Sequence, residues 1–467
     1  MPTKDSPADR QPAPTDADWR RLVAKSLGEA PIATLNAQIE PRISIDPLQP
    51  AEAAQPLWSR GGKGWTRLQR LGFGADATTI ETALAAGADG FEIVIAGSAA
   101  DTGDGLAADR LGACLAAIAI DRCRLRLAPG AASEAIADAV EAAVGAGRLD
   151  PQLLSLSFGF DPVGAIASGR IAADRWGEQA NTLATLVGRL AARGYDGPFA
   201  TADGRLVHAA GGTASMELGY ALASLLALIR ALLDAGVDPA LAAAAVDVAL
   251  AADADQFVTI AKFRAMRLLQ AKLLQAASLP PSRLVLHGET SWRMLADEDR
   301  RSNVIRTTIA AVAAGIGGAD TLTVLPFTAA SGATDPDAER LAMTTQAILI
   351  EETHVARVAD PGAGSGTIGA LTLALAEEAW RRFQAIERAG GIAASLGSGQ
   401  FQAEITEAAA RAEAEIAEGR RGIVGVTLFR ADGAPPRAPR PRVDDGHERP
   451  APLRPRRLAA PFEEPQP

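Results

Sequence analysis

Three groups of polar residues follow apolar, strand-like runs and could take part in chemistry. Asp161 comes after LLSLSFGF, His208 after PFATADGRLV, and the run His287-Gly288-Glu289-Thr290-Ser291 after RLVL. Two histidines on one rim could donate hydrogen bonds to a bound carbonyl or accept a proton. The alternative is that each imidazole satisfies a backbone group at a strand end. Glu217, near the start of an apolar helix, is interpreted as complementing the positive end of that helix.

Short β-like runs alternate with helical stretches over residues 65–335, and these elements must position the polar groups. Eight strands are predicted, at Trp65–Leu71, Gly90–Ala96, Arg124–Ala128, Leu153–Phe158, Pro198–Ala202, Val246–Ala251, Arg283–Leu286 and Thr321–Leu325. The helices predicted between them are Thr78–Ala86, Ala132–Val144, Ala180–Ala192, Ser215–Leu233, Gln256–Gln275 and Asn303–Ile316. Such alternation requires parallel strands, and eight units over about 270 residues predict an α/β fold, a closed (β/α)8 TIM-type barrel. An open doubly wound sheet is the alternative.

The barrel is predicted to carry flanking segments on both sides. Residues 336–430 are predicted to form C-terminal helices at Ala338–His354, Leu371–Ala389 and Phe401–Glu418, then a final strand at Gly422–Phe429. Residues 19–64 are an N-terminal extension, and residues 1–18 are predicted to be flexible. Residues 431–467 hold ten prolines and seven arginines, which predicts a disordered tail, either inert or an interaction arm.

Composition excludes several classes of function. Lys plus Arg total 46 against 56 Asp plus Glu, a net charge of −10, which argues against binding nucleic acid or an anionic membrane surface. Cys114 and Cys123 are the two cysteines, too few for a disulfide framework or a four-cysteine zinc site, and no metal site is predicted. The N-terminus lacks an apolar targeting core and the longest apolar runs are too short to span a bilayer. A cytoplasmic location is therefore expected.

The run Gly364-Ser365-Gly366-Thr367-Ile368-Gly369 has the spacing GxGxxG. That fingerprint binds a dinucleotide only when a strand comes immediately before it, whereas the preceding residues here are predicted to be helical. The run is therefore interpreted as a glycine-rich connection that begins the next helix.

Several long segments, in order along the chain, resemble the methylmalonyl-CoA mutase family. They are SFGFDPVGA, IAKFRAMR at Ile260–Arg267, NVIRTTIAAVAAGIGGADTLTVLPF, LAMTTQAILIEETHVARVADPGAGSG and LTLALAEEAWRRFQAIERAGGI. The resemblance extends over about Trp19 to Phe429. It implies a TIM-type barrel whose bore admits an acyl-CoA, a separate cobalamin-binding domain, and radical interconversion of methylmalonyl-CoA and succinyl-CoA.

The chain departs from the pattern of active family members at the pocket. Active members carry a YPTMY-type segment and then RPWTIRQYAG, where residues 59–81 here contain no tyrosine. Active members have a Tyr-His pair where this chain has Val207-His208, and His-x-Gln-Thr-Ser where it has His287-Gly288-Glu289-Thr290-Ser291. The two tyrosines, Tyr195 and Tyr220, are predicted to lie away from the pocket. His287, Glu289 and Thr290 are therefore interpreted as a vestigial pocket, and His208 is the family-matched histidine.

The cobalamin signature of the family, D-x-H-x-x-G, is matched only by Asp445-Gly446-His447, with Pro450 in place of the glycine. The resemblance therefore implies the small, non-catalytic subunit of a heterodimeric mutase, whose large subunit carries adenosylcobalamin and substrate. In this interpretation the chain binds no cobalamin alone, and its N-terminal segment wraps the large subunit. The alternatives are a catalytic barrel whose cobalamin domain is a separate polypeptide, and a regulatory or chaperone-like barrel acting on a mutase.

Overall fold

The protein is built around eight parallel strands that follow one another in chain order. The computed structural model describes residues 15–430 and 451–463, apart from 52, 54, 73, 333 and 334. A short antiparallel hairpin comes first, formed by β1 (Ala37–Glu40) and β2 (Ile43–Ile45). The barrel strands are β3 (Thr66–Leu71), β4 (Gly90–Val94), β5 (Arg124–Ala128), β6 (Leu156–Ser157), β7 (Ala200–Asp203), β8 (Val246–Ala252), β9 (Leu286–Thr290) and β10 (Thr321–Thr323).

Fifteen helices are found in the described part of the chain, most of them packed around the strands. The helices up to the eighth strand are α1 (Asp16–Leu27), α2 (Ala77–Ala85), α3 (Leu111–Ala117), α4 (Ser133–Gly147), α5 (Pro162–Ala167), α6 (Trp176–Ala192), α7 (Arg205–Ala209), α8 (Ala214–Asp234), α9 (Pro239–Ala244), α10 (Gln256–Ala276) and α11 (Asn303–Gly317). The helices that follow it are α12 (Pro336–Glu351), α13 (Gly366–Arg388), α14 (Ile392–Ser398) and α15 (Gln400–Ala417).

The eight strands form a closed barrel, which confirms the predicted fold class and excludes the open sheet. Each strand pairs in parallel with the next, β10 pairs with β3, and the last gap lies between β6 and β7. Residues just after β6 close it, because Phe158 N–H donates to Pro198 O and Phe160 N–H donates to Phe199 O, both at 3.0 Å. The ring of Phe158 stacks on that of Phe199 with centroids 5.8 Å apart.

Seven of the eight predicted strands overlap the observed ones by two residues or more, and the remaining one is displaced. The seventh was predicted at Arg283–Leu286 but spans Leu286–Thr290, because its ladder to β8 begins only at Leu286. The final strand predicted at Gly422–Phe429 is wrong. That run turns back on itself with one isolated bridge between Val424 and Leu428, since a closed barrel leaves it no free edge to join.

Helix α8 is the most deeply packed element of the shell. It is the one described helix long and apolar enough to cross a membrane, yet 83% of its most apolar stretch is buried inside the protein. It packs against α10 and α13. Its apolar length is therefore accounted for by the core. The glycine-rich run before α13 begins that helix, as predicted, and Ser365 caps it by accepting from Ile368 N–H.

The N-terminal extension has two parts that differ in how they contact the barrel. Residues 37–64 lie on the chain's own body: Glu40 accepts from Thr213 Oγ1 at 2.9 Å and from Ser215 N–H at 2.9 Å, and Arg60 donates to Gly315 O at 2.9 Å. Helix α1, by contrast, has no buried residue. Among the described residues 15–64, α1 is therefore the helix whose surface is left uncovered by the rest of the chain.

The C-terminal residues 451–463 are packed, which corrects the prediction of a tail disordered throughout residues 431–467. Leu453, Ala459 and Phe462 are 4%, 1% and 1% exposed. Prolines suit an extended segment, and the apolar residues between them supply anchors that a purely polar tail would lack. The remaining predicted tail residues, 1–14, 431–450 and 464–467, lie outside the described residues.

Candidate functional site

His208 lies in the short helix α7, immediately after β7, and is buried. Its Nε2 lies 2.7 Å from Ser291 Oγ and 3.3 Å from Asp253 Oδ2. Arg293 donates to the main-chain oxygen of His208 at 2.8 Å. The imidazole is thus held by side chains of its own chain, and the backbone group that the alternative interpretation expected as its partner is not among these contacts.

Burial and the neighbouring Arg293 lower the pKa of His208 to about 3. The ring is therefore neutral at pH 7, and it can accept a hydrogen bond but cannot act as an acid. Glu217 lies behind it, fully buried, with Oε2 2.5 Å from Lys262 Nζ and Oε1 accepting from Ala251 N–H at 2.7 Å. The prediction that Glu217 serves mainly the end of its helix is therefore incomplete, since its principal partner is a lysine 45 residues along the chain.

His287, Glu289 and Thr290 belong to β9 itself, where the prediction had placed them on the rim beyond the strand. Because side chains alternate along a strand, His287 and Glu289 both point into the barrel. His287 Nδ1 lies 2.8 Å from Thr321 Oγ1 on β10, and Thr290 Oγ1 accepts from Leu325 N–H at 2.8 Å. His287 therefore lies in the barrel interior, whereas Glu289 and Thr290, at the end of the strand, also line the small cavity at the mouth.

The lower part of the bore is filled by a buried ion pair that sequence reasoning missed. Arg126 on β5 donates to Asp247 Oδ2 on β8 at 2.5 Å, across the barrel. Asp247 also accepts from Ser157 Oγ at 2.8 Å and Thr201 Oγ1 at 2.5 Å. Asp247 is fully buried and Arg126 is 2% exposed. A charged residue in the middle of an apolar strand was the only signal in the sequence, and it did not identify the partner.

A second set of charges fills the upper bore around Glu92 and Arg205. Arg205 Nη1 lies 2.7 Å from Glu92 Oε1 and its other guanidinium nitrogens bond Asp203. Arg70 lies 2.8 Å from Glu289, and Arg205 lies 3.3 Å from the same carboxylate. The interior is therefore occupied by ion pairs whose partners belong to this chain, while the buried Arg126 Nε and His287 Nε2 have no hydrogen-bond partner within the part of the chain that the structure describes.

Glu289 stands out in this network because its pKa is raised. Burial raises the pKa of Glu289 to about 7, with Glu92 adding to the effect and Arg70 and Arg205 opposing it. The neighbouring His287 is shifted the other way, since burial lowers its pKa to about 4. Burial thus favours the neutral imidazole at His287 and disfavours the ionised form of the Glu289 carboxyl group, moving their pKa values in opposite directions.

The cavities left at the mouth are too small for the acyl-CoA channel that the family resemblance implies. One of about 20 Å³ lies among Arg205, His208, Glu289 and Ser291, under Pro455, and one of about 10 Å³ lies beside Asp161. A cavity of this size holds roughly one water molecule. The residues that line the bore therefore do not fit a thioester substrate.

The remaining sequence candidates also have structural roles. Asp161 begins α5, where its Oδ1 accepts from Gly164 N–H at 2.8 Å. Tyr195 packs edge-on against Phe158 with centroids 5.4 Å apart, and Tyr220 stacks on Phe401 at 5.7 Å. Tyr195 lies in the connection between α6 and β7, at the end of the barrel opposite the mouth. Tyr220 lies within α8, but its hydroxyl is close enough to interact electrostatically with Asp161 and Asp203 beside the mouth. No group of three or more His, Cys, Asp or Glu side chains that could hold a metal ion occurs within the described ranges.

A wider cavity of about 230 Å³ opens sideways from His208, off the barrel axis. Its walls include basic and acidic side chains together, among them Lys262, Arg293, Asp253 and Glu415. Because basic and acidic side chains both line this cavity, its charge does not favour an anionic ligand over a cationic one.

Comparisons with known proteins agree with the resemblance seen in the sequence. The family profile described as Methylmalonyl-CoA mutase matches residues 200–455. A methylmalonyl-CoA mutase small subunit from Streptomyces virginiae is 39% identical over 308 residues, 62% of this chain and 49% of that protein. A probable methylmalonyl-CoA mutase small subunit from Mycobacterium bovis is 34% identical over 455 residues, 89% of this chain and 72% of that protein.

A large subunit is also similar, over a shorter region. The methylmalonyl-CoA mutase large subunit of Streptomyces virginiae is 35% identical over 236 residues, 49% of this chain and 32% of that protein. This chain matches about half the length of the Streptomyces virginiae small subunit and nearly three quarters of the Mycobacterium bovis one.

Proposed function

Because this chain belongs to the methylmalonyl-CoA mutase family, we propose that it is the small, non-catalytic subunit of a heterodimeric methylmalonyl-CoA mutase. The observation that carries this proposal is the filled bore. Arg126 with Asp247, and Arg205 with Glu92, occupy the interior that a substrate would need. The similarity to two proteins named small subunits supports the same assignment.

In this proposal the reaction takes place on the large subunit, which carries adenosylcobalamin and the acyl-CoA. The cofactor supplies the radical chemistry, and this chain supplies a folded surface that stabilises its partner. An obligate interface of this kind buries about 2,000 Å² or more. Helix α1, with Leu22 61% exposed, is the segment we assign to wrapping the large subunit. We propose a cytoplasmic location for the assembly, and we propose neither a nucleic acid nor a membrane as its partner.

Purification of the chain alone, and of the chain co-expressed with a large subunit, tests this assignment. Corrinoid content by absorbance, mass in solution and mutase turnover are measured for each preparation. We expect the chain alone to contain no corrinoid and to show no turnover, while the pair forms and is active. Isomerisation of an acyl-CoA by the chain alone, or with only a free corrinoid-carrying module, would show instead that it is a catalytic barrel.

A substitution of His208 tests the vestigial pocket directly. Because its Nε2 is committed to Ser291 and Asp253 of the same chain, His208→Ala should leave turnover of the pair within about twofold, whereas loss of a transition-state donor lowers the rate about 10²–10³-fold. His208→Gln, which keeps a hydrogen-bonding group, is the matched control for folding. A hundredfold loss in a folded, paired His208→Ala preparation contradicts the proposal.

A further inference from the structure

Residues 451–463, here called the C-terminal strap, cross the face of the barrel at which the strands end. Three main-chain amides hold them: Leu453 N–H donates to Ala167 O at 2.9 Å, Arg456 N–H to Ala209 O at 2.9 Å, and Leu458 N–H to Arg293 O at 3.0 Å. The accepting carbonyls belong to the connections after β6, β7 and β9. The strap thus runs over the face where TIM-type barrels hold their ligands.

Apolar side chains anchor the far end of the strap in a small cluster separate from the main core. Phe462, 1% exposed, packs with Ala296, Ile416 and Val426. Leu453 joins the main core at the near end. Burial of apolar side chains stabilises a segment roughly in proportion to the apolar area removed from water, so a few contacts of this kind hold the strap in place without making it part of the barrel.

A charged contact completes the attachment. Glu463, 4% exposed, accepts from Asp297 N–H at 2.5 Å and pairs with Arg457 at 2.6 Å. The guanidinium of Arg457 lies 5.8 Å from the ring centre of Trp292. The strap therefore contacts the connection after β9 through its main chain, a carboxylate and a cation.

We propose that the C-terminal strap is an intramolecular lid that occupies the barrel mouth as a bound peptide would. Pro455 closes the small cavity above Arg205, His208 and Ser291. Release of the strap as one unit uncovers these side chains. A peripheral segment with three main-chain bonds and few anchors opens more readily than the barrel beneath it. The proposal does not depend on the assignment of the chain as a small subunit, because it concerns contacts within this chain alone.

Hydrogen exchange on the full chain, followed by mass spectrometry, tests the lid. The amides of Leu453, Arg456 and Leu458 should exchange far more slowly than in an unstructured peptide. Phe462→Ala should accelerate all three together, by about 100-fold, because truncation of a buried aromatic side chain shifts the opening equilibrium by at least that factor. Amides of β8 should be unchanged in the same variant.

Phe429→Ala is the matched control, since Phe429 is 85% exposed and the substitution removes an equal ring. It should leave exchange of the strap unchanged. Exchange of strap amides at peptide rates in the parent chain would overturn the proposal. So would acceleration confined to the amides next to residue 462, because the strap would then not move as a unit.

A second measurement does not depend on Phe462→Ala being folded. Ser291→Cys places a thiol under the strap at a position 2% exposed, and the native Cys114 and Cys123 are buried. A chain with this thiol that ends at residue 450 should react with a water-soluble thiol reagent at least tenfold faster than the full-length chain with the same thiol. Added synthetic peptide 451–463 should restore slow labelling. Equal rates in both chains, or no effect of the peptide, would show that the strap does not cover the mouth.

Discussion

The family resemblance implies that active members carry an amide where this chain has Glu289. The carboxylate bridges Arg70 on β3 and Arg205 after β7, at 2.8 and 3.3 Å. An amide could not balance two guanidinium charges in the same way. Glu289 is therefore part of an internal ion-pair network with Arg70 and Arg205.

The raised pKa of Glu289 predicts an effect of pH on stability. Its pKa is about 7 in the folded chain against 4.5 for an ordinary glutamate, so the folded state binds the proton more tightly. Its contribution to the unfolding free energy is fully present below about pH 4.5 and is lost as the pH rises to about 7, a change of roughly 3 kcal/mol. Glu289→Gln should abolish this decline.

Urea denaturation of parent and variant between pH 4.5 and 8 measures the difference. His208 and His287 act in the opposite sense, because their lowered pKa values make the free energy of unfolding rise with pH up to about 6.5. The prediction therefore concerns the difference in unfolding free energy between the variant and the parent at each pH. Glu407→Gln is the control, since the side chain of Glu407 is 77% exposed and pairs only with Arg411. If parent and Glu289→Gln show parallel pH curves, the carboxyl is not shifted.

Some residue roles could be predicted from the sequence and others could not. The position of Tyr195 between α6 and β7, and of Tyr220 within a helix, followed from their local context. The pairing of Glu217 with Lys262 did not, because a contact between distant residues leaves no periodic trace in one sequence. His287 was expected on the rim because the strand boundary was placed four residues too early.

The barrel strands are short. Several of the side chains that point into the barrel are charged, although the interior is closed. Glu92, Arg126 and Asp247 lie on strands whose outward residues pack against apolar helices. Alternation of inward polar and outward apolar side chains explains why the strands were recognised. The apolar run at Gly422–Phe429 looked equivalent, but strand pairing needs a free edge, and the sequence does not tell whether one exists.

The ion pair across the lower bore predicts a large cost for removing one partner. Asp247→Asn leaves Arg126 buried without its counter-charge, so the unfolding free energy should fall by about 3–5 kcal/mol. Asp138→Asn removes a comparable but exposed partner of Arg189, with the side chain of Asp138 64% exposed, and should cost less than about 1 kcal/mol. Urea unfolding of both variants makes the comparison. If Asp247→Asn and Asp138→Asn lowered the unfolding free energy equally, water would have to solvate Arg126 within the bore.

At the scale of the whole molecule, most of the chain forms one barrel and shell, while α1 stands apart. No residue of α1 is buried, and Leu22 and Leu35 are 61% and 42% exposed. Helix α1 therefore contributes no buried side chain to the core. Apolar side chains held outside a folded body are typical of a segment that binds another surface.

Deletion of residues 1–35 should therefore separate folding from assembly. The Tm of the chain alone should change by less than about 2 °C, because a domain of this size loses only a few degrees per kcal/mol. The affinity for the large subunit should fall at least tenfold, measured by titration calorimetry. Leu22→Ala should weaken binding in the same direction, whereas Leu153→Ala, at a residue 78% exposed elsewhere, should not. A Tm drop beyond 5 °C would place the arm within the folded core.

The join between β6 and β7 has a mechanical consequence. β6 has only two residues, and the amides of Phe158 and Phe160 complete the circle there. By contrast, β8 pairs along five residues with β9 and along four residues with β7. A closed sheet opens first between the two strands that share the fewest hydrogen bonds. With rising denaturant or under a pulling force, the barrel should therefore open first at Phe158 and Phe160. The paired strands β7, β8 and β9 should be among the last to separate.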